Sequence, residues 1–151
     1  MYKTLTSLNQ ESVELLQTLK DEVRFRSDNI RIGANKTANR SVYSESKWYD
    51  WTRDQKSQFK SAMGNLVDNA VVGWFINFPK NGFLDEMDYW LDKTSAGTIV
   101  AYSLTDNNKI IIQDEETVCQ IGEGISFSLK QIHEIKPEPM NRTWACIMQL
   151  K

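Results

Sequence analysis

Apolar residues recur along this chain at two different periods, and the change of period divides it. Val13, Leu16, Leu19 and Val23 lie three or four residues apart, which places them on one face of a helix. Ser7-Leu8-Asn9-Gln10 has capping-box spacing and predicts where that helix opens. Phe59, Met63, Leu66, Val67 and Val71 repeat the helical pattern. They predict a second amphipathic helix, opened by the capping box Thr52-Arg53-Asp54-Gln55 and ending near Gly73. Residues 28–50 are polar and irregular, apart from the alternation Ile30-Arg31-Ile32, which reads as a loop or an edge strand.

From Gly73 on, the period is that of strands. Trp74-Phe75-Ile76-Asn77-Phe78 is a β-rich run stopped by Pro79 and turned at Asn81-Gly82. Thr98–Leu104 predicts a strand, Asp106-Asn107-Asn108 a turn, and Lys109–Gln113 the returning strand. Val118–Ile121, Ile125–Leu129, Ile132–Ile135 and Arg142–Leu150 predict four more. Short strands in this number, with turn residues between them, predict a mainly β sandwich or jelly roll carrying two N-terminal helices on its outer face. A length of 151 residues without repeats or a linker predicts one domain, with residues 1–72 as its helical part and 73–150 as its β core.

Composition narrows the function classes. No apolar run approaches the length of a membrane span, and Met1-Tyr2-Lys3-Thr4-Leu5 holds no apolar signal core, so a cytoplasmic protein without a membrane partner is expected. Cys119 and Cys146 each lie in an apolar, strand-like context and are expected as buried reduced thiols. One histidine and no Cys-x-x-Cys argue against a zinc site. Charge is uneven: residues 24–60 hold nine basic side chains against four acids, and residues 81–123 hold nine acids against two lysines. Solvated faces explain this in the simplest way; an anionic partner and a cation pocket are the sharper readings. Sparse basic residues between Arg24 and Arg40, in a chain of net charge −2, argue against nucleic acid. No nucleophile elbow or phosphate-binding glycine loop is present.

The candidate chemistry lies around the single histidine. Gly122-Glu123-Gly124-Ile125-Ser126-Phe127 leads through a strand to His133, and the next strand opens with Arg142. Upstream, the glycine turn of Gly82-Phe83-Leu84-Asp85-Glu86-Met87-Asp88 runs into paired acids. On a strand Glu86 and Asp88 share a face while Asp85 points away, which favours the first two as a pair. Each residue also has a plain structural reading. His133 could be an ordinary hydrogen-bonded histidine, Glu86 and Asp88 a solvated face, and Arg142 a partner of Glu134 or Glu138. Trp48, Tyr49, Trp51, Trp74 and Trp90 read as core packing first and as a stacking surface second.

Taken together, these residues resemble the Fe(II)/2-oxoglutarate-dependent oxygenases, in particular the aspartyl/asparaginyl and prolyl hydroxylase-like branches, over residues 73–150. Members carry a His-x-Asp pair after a glycine turn, a distal histidine, and an arginine on the following strand. Glu86 stands where the first histidine belongs, Asp88 at the aspartate, His133 at the distal histidine and Arg142 at the 2-oxoglutarate arginine. The resemblance implies a double-stranded β-helix (jelly roll), with Glu86, Asp88 and His133 holding Fe(II) and Arg142 holding 2-oxoglutarate. It implies hydroxylation of a protein side chain or a small molecule. The glutamate adds negative charge to the ligand set and favours harder ions such as Mn, Mg or Ca, or no metal at all. The alternatives are a non-catalytic binding or structural assembly module of the same fold and a cupin-like sugar or metabolite binder. Small jelly rolls often assemble through sheet faces, so a homo-oligomer is a separate expectation, with no stripe that specifies its symmetry. An enzyme predicts that Trp90 and Trp144 line an open pocket. An assembly module predicts a filled interior and an exposed apolar patch around Trp48 and Trp51.

Overall fold

A computed structural model describes residues 2–26, 31–32, 40–64, 70–84, 98–128 and 133–149. Helix α1 spans Gln10–Glu22 and is capped by Asn9, whose Oδ1 accepts from the Ser12 amide at 2.8 Å. The cap therefore lies two residues past Ser7, at the residue whose extended backbone and short amide satisfy an orphan amide. Helix α2, Arg53–Met63, opens on the expected capping box: Thr52 Oγ1 accepts from Gln55 N at 3.1 Å and Gln55 Oε1 accepts from Thr52 N at 2.9 Å. It stops earlier than its apolar period suggests. Gly64 takes a left-handed φ of 62° at the C-cap, and the β-branched pair Val71-Val72 already belongs to a strand. Leu66 and Val67 lie outside the described residues.

The strands are β1 (Lys3–Thr4), β2 (Arg31–Ile32), β3 (Arg40–Ser41), β4 (Ser44–Lys47), β5 (Ala70–Phe78) and β6 (Thr98–Ser103), followed by β7 (Asn108–Ile112), β8 (Glu115–Cys119), β9 (Gly124–Ser128), β10 (His133–Glu134) and β11 (Arg142–Gln149). Among the described residues they form a six-stranded sheet in the order β1-β9-β6-β11-β5-β4, a three-stranded sheet β10-β7-β8, and a β2-β3 pair. Bridges from Leu84 to Ile135 and from Val42 to Phe83 continue the small sheet. The result is a jelly roll with two N-terminal helices. Strand β4 lies in the stretch that reads as irregular, because Ser-Glu-Ser-Lys has no apolar alternation although Glu45 and Ser46 are buried.

The period-two pattern assigns each strand two faces. Trp74, Ile76, Phe78, Ile99, Trp144 and Cys146 pack between the sheets with Tyr43, Ile110, Ile112, Phe127 and Ile135. On the other face Phe75, Val100, Tyr102, Ala145 and Ile147 meet Leu16, Leu19, Phe59 and Met63 from the helices. Trp51 belongs to this second core, only 5% exposed, with Nε1 donating to Ser46 Oγ at 2.8 Å. Trp48 packs against it at 5.5 Å between rings, so no Trp48–Trp51 surface patch forms; the exposed aromatic there is Tyr49. Cys119 and Cys146 are buried, and no disulfide joins them. No helix among the described residues is long and apolar enough to cross a membrane.

Candidate functional site

Arg142 starts β11 opposite Phe78 of β5. Alternation along β11 puts it on the same face as Trp144, Cys146 and Met148, which point between the sheets. Its guanidinium is fully buried, 5.5 Å from the centroid of the Phe78 ring. Nη1 donates to the Lys136 carbonyl at 2.8 Å and Nη2 to the Gly82 carbonyl at 2.6 Å. Burial pulls its pKa below the usual arginine value, opposed by the Glu138 carboxylate. No ion pair joins Arg142 to Glu134 or Glu138, since the guanidinium is turned to main-chain carbonyls.

Those two carbonyls belong to the segments that lead to the sequence-predicted ligands. Pro79 ends β5, Asn81 takes φ 63°, and the Gly82 amide closes the turn on the Pro79 carbonyl at 2.6 Å. A Cβ on Gly82 would lie 2.7 Å from Pro79 Cδ and 2.8 Å from the Val42 carbonyl, so only glycine fits. Two residues later, Leu84 and Ile135 exchange a pair of main-chain hydrogen bonds, each 2.7 Å. Arg142 thus ties the chain entering residues 85–88 to the chain leaving His133.

Three buried polar atoms around this end of β11 have no hydrogen-bond partner among the described residues: Arg142 Nε, Trp144 Nε1 and Asn108 Oδ1. Asn108 is held in place by its amide, which donates to Ser103 Oγ at 3.0 Å and to the Thr143 carbonyl at 3.1 Å. Buried polar groups are rarely left unsatisfied, and such atoms mark where a water, ion or ligand is accommodated. Two of the three are donors, one of them on a cation, which suits an anion.

Of the sequence-predicted ligands, Glu86 and Asp88 lie outside the described residues, as do Asp85 and Trp90. The backbone of His133 lies in β10 opposite Ile112, a residue of the inter-sheet core. Among the described residues no three His, Cys, Asp or Glu side chains cluster closely enough to hold a metal ion. Trp144 is 1% exposed. Asn108 reads from sequence as the last turn residue after Asp106-Asn107, and only the β7-to-β11 packing brings it to the site.

No protein-family model and no curated protein matches the chain. Solved structures do. A 2OG-Fe(II) oxygenase family oxidoreductase from Burkholderia pseudomallei superposes with a TM-score of 0.70 at 10% identity, over 97% of this chain and 84% of the other. A prolyl-4-hydroxylase from Pseudomonas putida gives 0.65 at 15% identity, over 99% and 92%. A viral collagen prolyl hydroxylase from Paramecium bursaria Chlorella virus-1, solved as a 2OG complex, gives 0.62 at 9%, over 97% and 94%. The jelly roll of this chain is therefore the fold of Fe(II)/2-oxoglutarate oxygenases.

Proposed function

We propose that this chain is an oxygenase-like protein that binds 2-oxoglutarate through Arg142 and a divalent metal through Glu86, Asp88 and His133, and that it hydroxylates a protein side chain or a small molecule. The observation that carries the reading is the fully buried Arg142 guanidinium, which has no carboxylate partner among the described residues and an Nε without an acceptor. A buried charge is costly unless paired; Nη1 and Nη2 are turned to main-chain carbonyls, so a carboxylate of the oxoacid would be met through Nε–H and the guanidinium charge. Trp144 Nε1 supplies a second unused donor on the same strand face.

The metal set departs from the iron pattern. A chain with one histidine cannot assemble two imidazoles and a carboxylate. Glu86, Asp88 and His133 would offer two carboxylates and one imidazole, a harder set that suits Mn(II) as well as Fe(II). In the related enzymes the metal supplies the dioxygen chemistry, and the protein's own part is binding, orientation and exclusion of water. The prolyl hydroxylases among the structural neighbours support a protein side chain as substrate.

The single histidine also favours a second reading, a non-catalytic module of the same fold, in which the Arg142 site binds a carboxylate or serves stability alone. Aerobic incubation with Fe(II) and 2-oxoglutarate, followed by succinate analysis, separates the two. Metal-dependent succinate release supports the enzyme. Oxoacid binding without succinate supports the module, and no binding of metal or oxoacid overturns the site.

A further inference from the structure

We infer that the outer face of the small sheet docks on the α2 face of a second copy of this chain. The large sheet is covered by the helices, whereas the small sheet leaves Glu116 and Val118 exposed on its outer face. Register aligns Glu134, Ile111 and Glu116 in one row across β10, β7 and β8. The β7–β8 turn adds Asp114, so three carboxylates gather here; of the lysines near them among the described residues, Lys109 lies 3.9 Å from Glu138 and Lys136 is exposed two residues after Glu134.

The opposite side of the molecule is its complement. Arg53, Lys56 and Lys60 are spaced three and four residues apart and form one stripe of α2. They line a cleft of about 460 Å³ with Asp54 and Ser57. Lys56 and Lys60 both lean on the Trp48 ring, at 5.7 and 5.8 Å. Like charges one turn apart repel on an isolated helix, and carboxylates from outside relieve that. Among the described residues, neither these three cations nor Asp114, Glu116 and Glu134 form an ion pair.

Exposed large apolar side chains follow the same division. Those among the described residues are Tyr49, 69% exposed beside the basic stripe, and Val118 and Ile121, 41% and 43% exposed beside the acidic face. Each surface thus offers charge and an apolar contact, and the two surfaces point away from each other across the sandwich. Contacts of this kind run head to tail and build rings or open oligomers, not two-fold dimers.

Sedimentation velocity on the full chain tests this, with Arg53→Glu/Lys60→Glu and Asp114→Lys/Glu116→Lys as charge-reversal variants, all four positions being exposed. The wild type should self-associate with rising concentration and lose association in high salt. Each double variant alone should stay monomeric, with unchanged circular dichroism because the altered side chains are exposed. An equimolar mixture of the two variants should regain association, since each then carries the charge the other's intact surface needs. A wild type that stays monomeric throughout overturns the inference. So does association that survives both reversals, or a mixture that stays monomeric. A monomer whose α2 resonances shift with inorganic phosphate would assign the cleft to a small anion instead and equally overturn it.

Discussion

Replacing Arg142 by alanine should destabilise the fold well before it tests any ligand. The guanidinium makes two charge-assisted hydrogen bonds, at 2.8 Å to the Lys136 carbonyl and 2.6 Å to the Gly82 carbonyl. Hydrogen bonds to a charged group contribute about 1.5–3 kcal/mol each, so the pair sets an upper bound of about 3–6 kcal/mol. Two effects offset part of this. The cost of burying the guanidinium is relieved, and water entering the vacated space can solvate the two carbonyls. A net loss of about 2–4 kcal/mol is expected. In a domain of this size that corresponds to a fall in Tm of about 5–15 °C. Urea unfolding followed by tryptophan fluorescence gives the free energy. Hydrogen exchange at Leu84 and Ile135, whose paired amide bonds lie beside the staple, gives its location. Arg142→Lys should fall between wild type and alanine, because one ammonium cannot span both carbonyls with a planar fork. A loss below about 1 kcal/mol, with unchanged exchange at Leu84 and Ile135, would refute the view that Arg142 holds the two segments together.

Trp144→Phe removes the Nε1 donor, which has no partner among the described residues, together with part of a fully buried ring. It should weaken 2-oxoglutarate binding and cost about 1–3 kcal/mol of stability through the cavity left behind, and unchanged affinity in calorimetry would remove Trp144 from the site. In Gly73→Ala the new methyl would come within 2.5 Å of Phe59 Cε1. The Phe59 ring is itself wedged among Trp48, Trp51 and Phe75, so a cost of about 1–3 kcal/mol in denaturant unfolding is expected. Burial first, then the charge of Glu123, pushes the Cys119 thiol up to about 11. Because the folded value lies above the unfolded one, its contribution to stability is complete below the ordinary thiol pKa and is lost as pH rises through about 11. Cys119→Ala should flatten that alkaline limb; an identical slope in the variant would contradict the assignment.

The strand rhythm after Trp74 was legible because period-two alternation there coincides with real burial on both faces. Thr98–Ser103, Asn108–Ile112, Gly124–Ser128 and Arg142–Gln149 each fall within a residue or so of their sequence-read bounds. The capping box at Thr52 was legible because its chemistry is local. Strand β4 was not, since Glu45 and Ser46 are buried by tertiary packing that leaves no trace in their polarity. The end of α2 was obscured by Val67 and Val71, which continue the helical spacing past a left-handed Gly64. At the site, the sequence pointed to Arg142 as an anion clamp. Its role in joining Gly82 to Lys136 depends on main-chain carbonyls brought together from distant segments, which no side-chain pattern encodes. Asn108 escaped notice for the same reason, because its partners Ser103 and Thr143 come from two other strands.

The most direct measurement is calorimetric titration of 2-oxoglutarate, under anaerobic conditions, into Mn(II)-treated wild type and Mn(II)-treated His133→Ala. If His133 belongs to a metal centre facing the Arg142 site, the wild type binds the oxoacid saturably and only with metal present, and His133→Ala loses both metal and oxoacid while unfolding at nearly the same urea concentration. Equal oxoacid binding in the two proteins, or none in either, would contradict a metal and 2-oxoglutarate site built from Glu86, Asp88, His133 and Arg142.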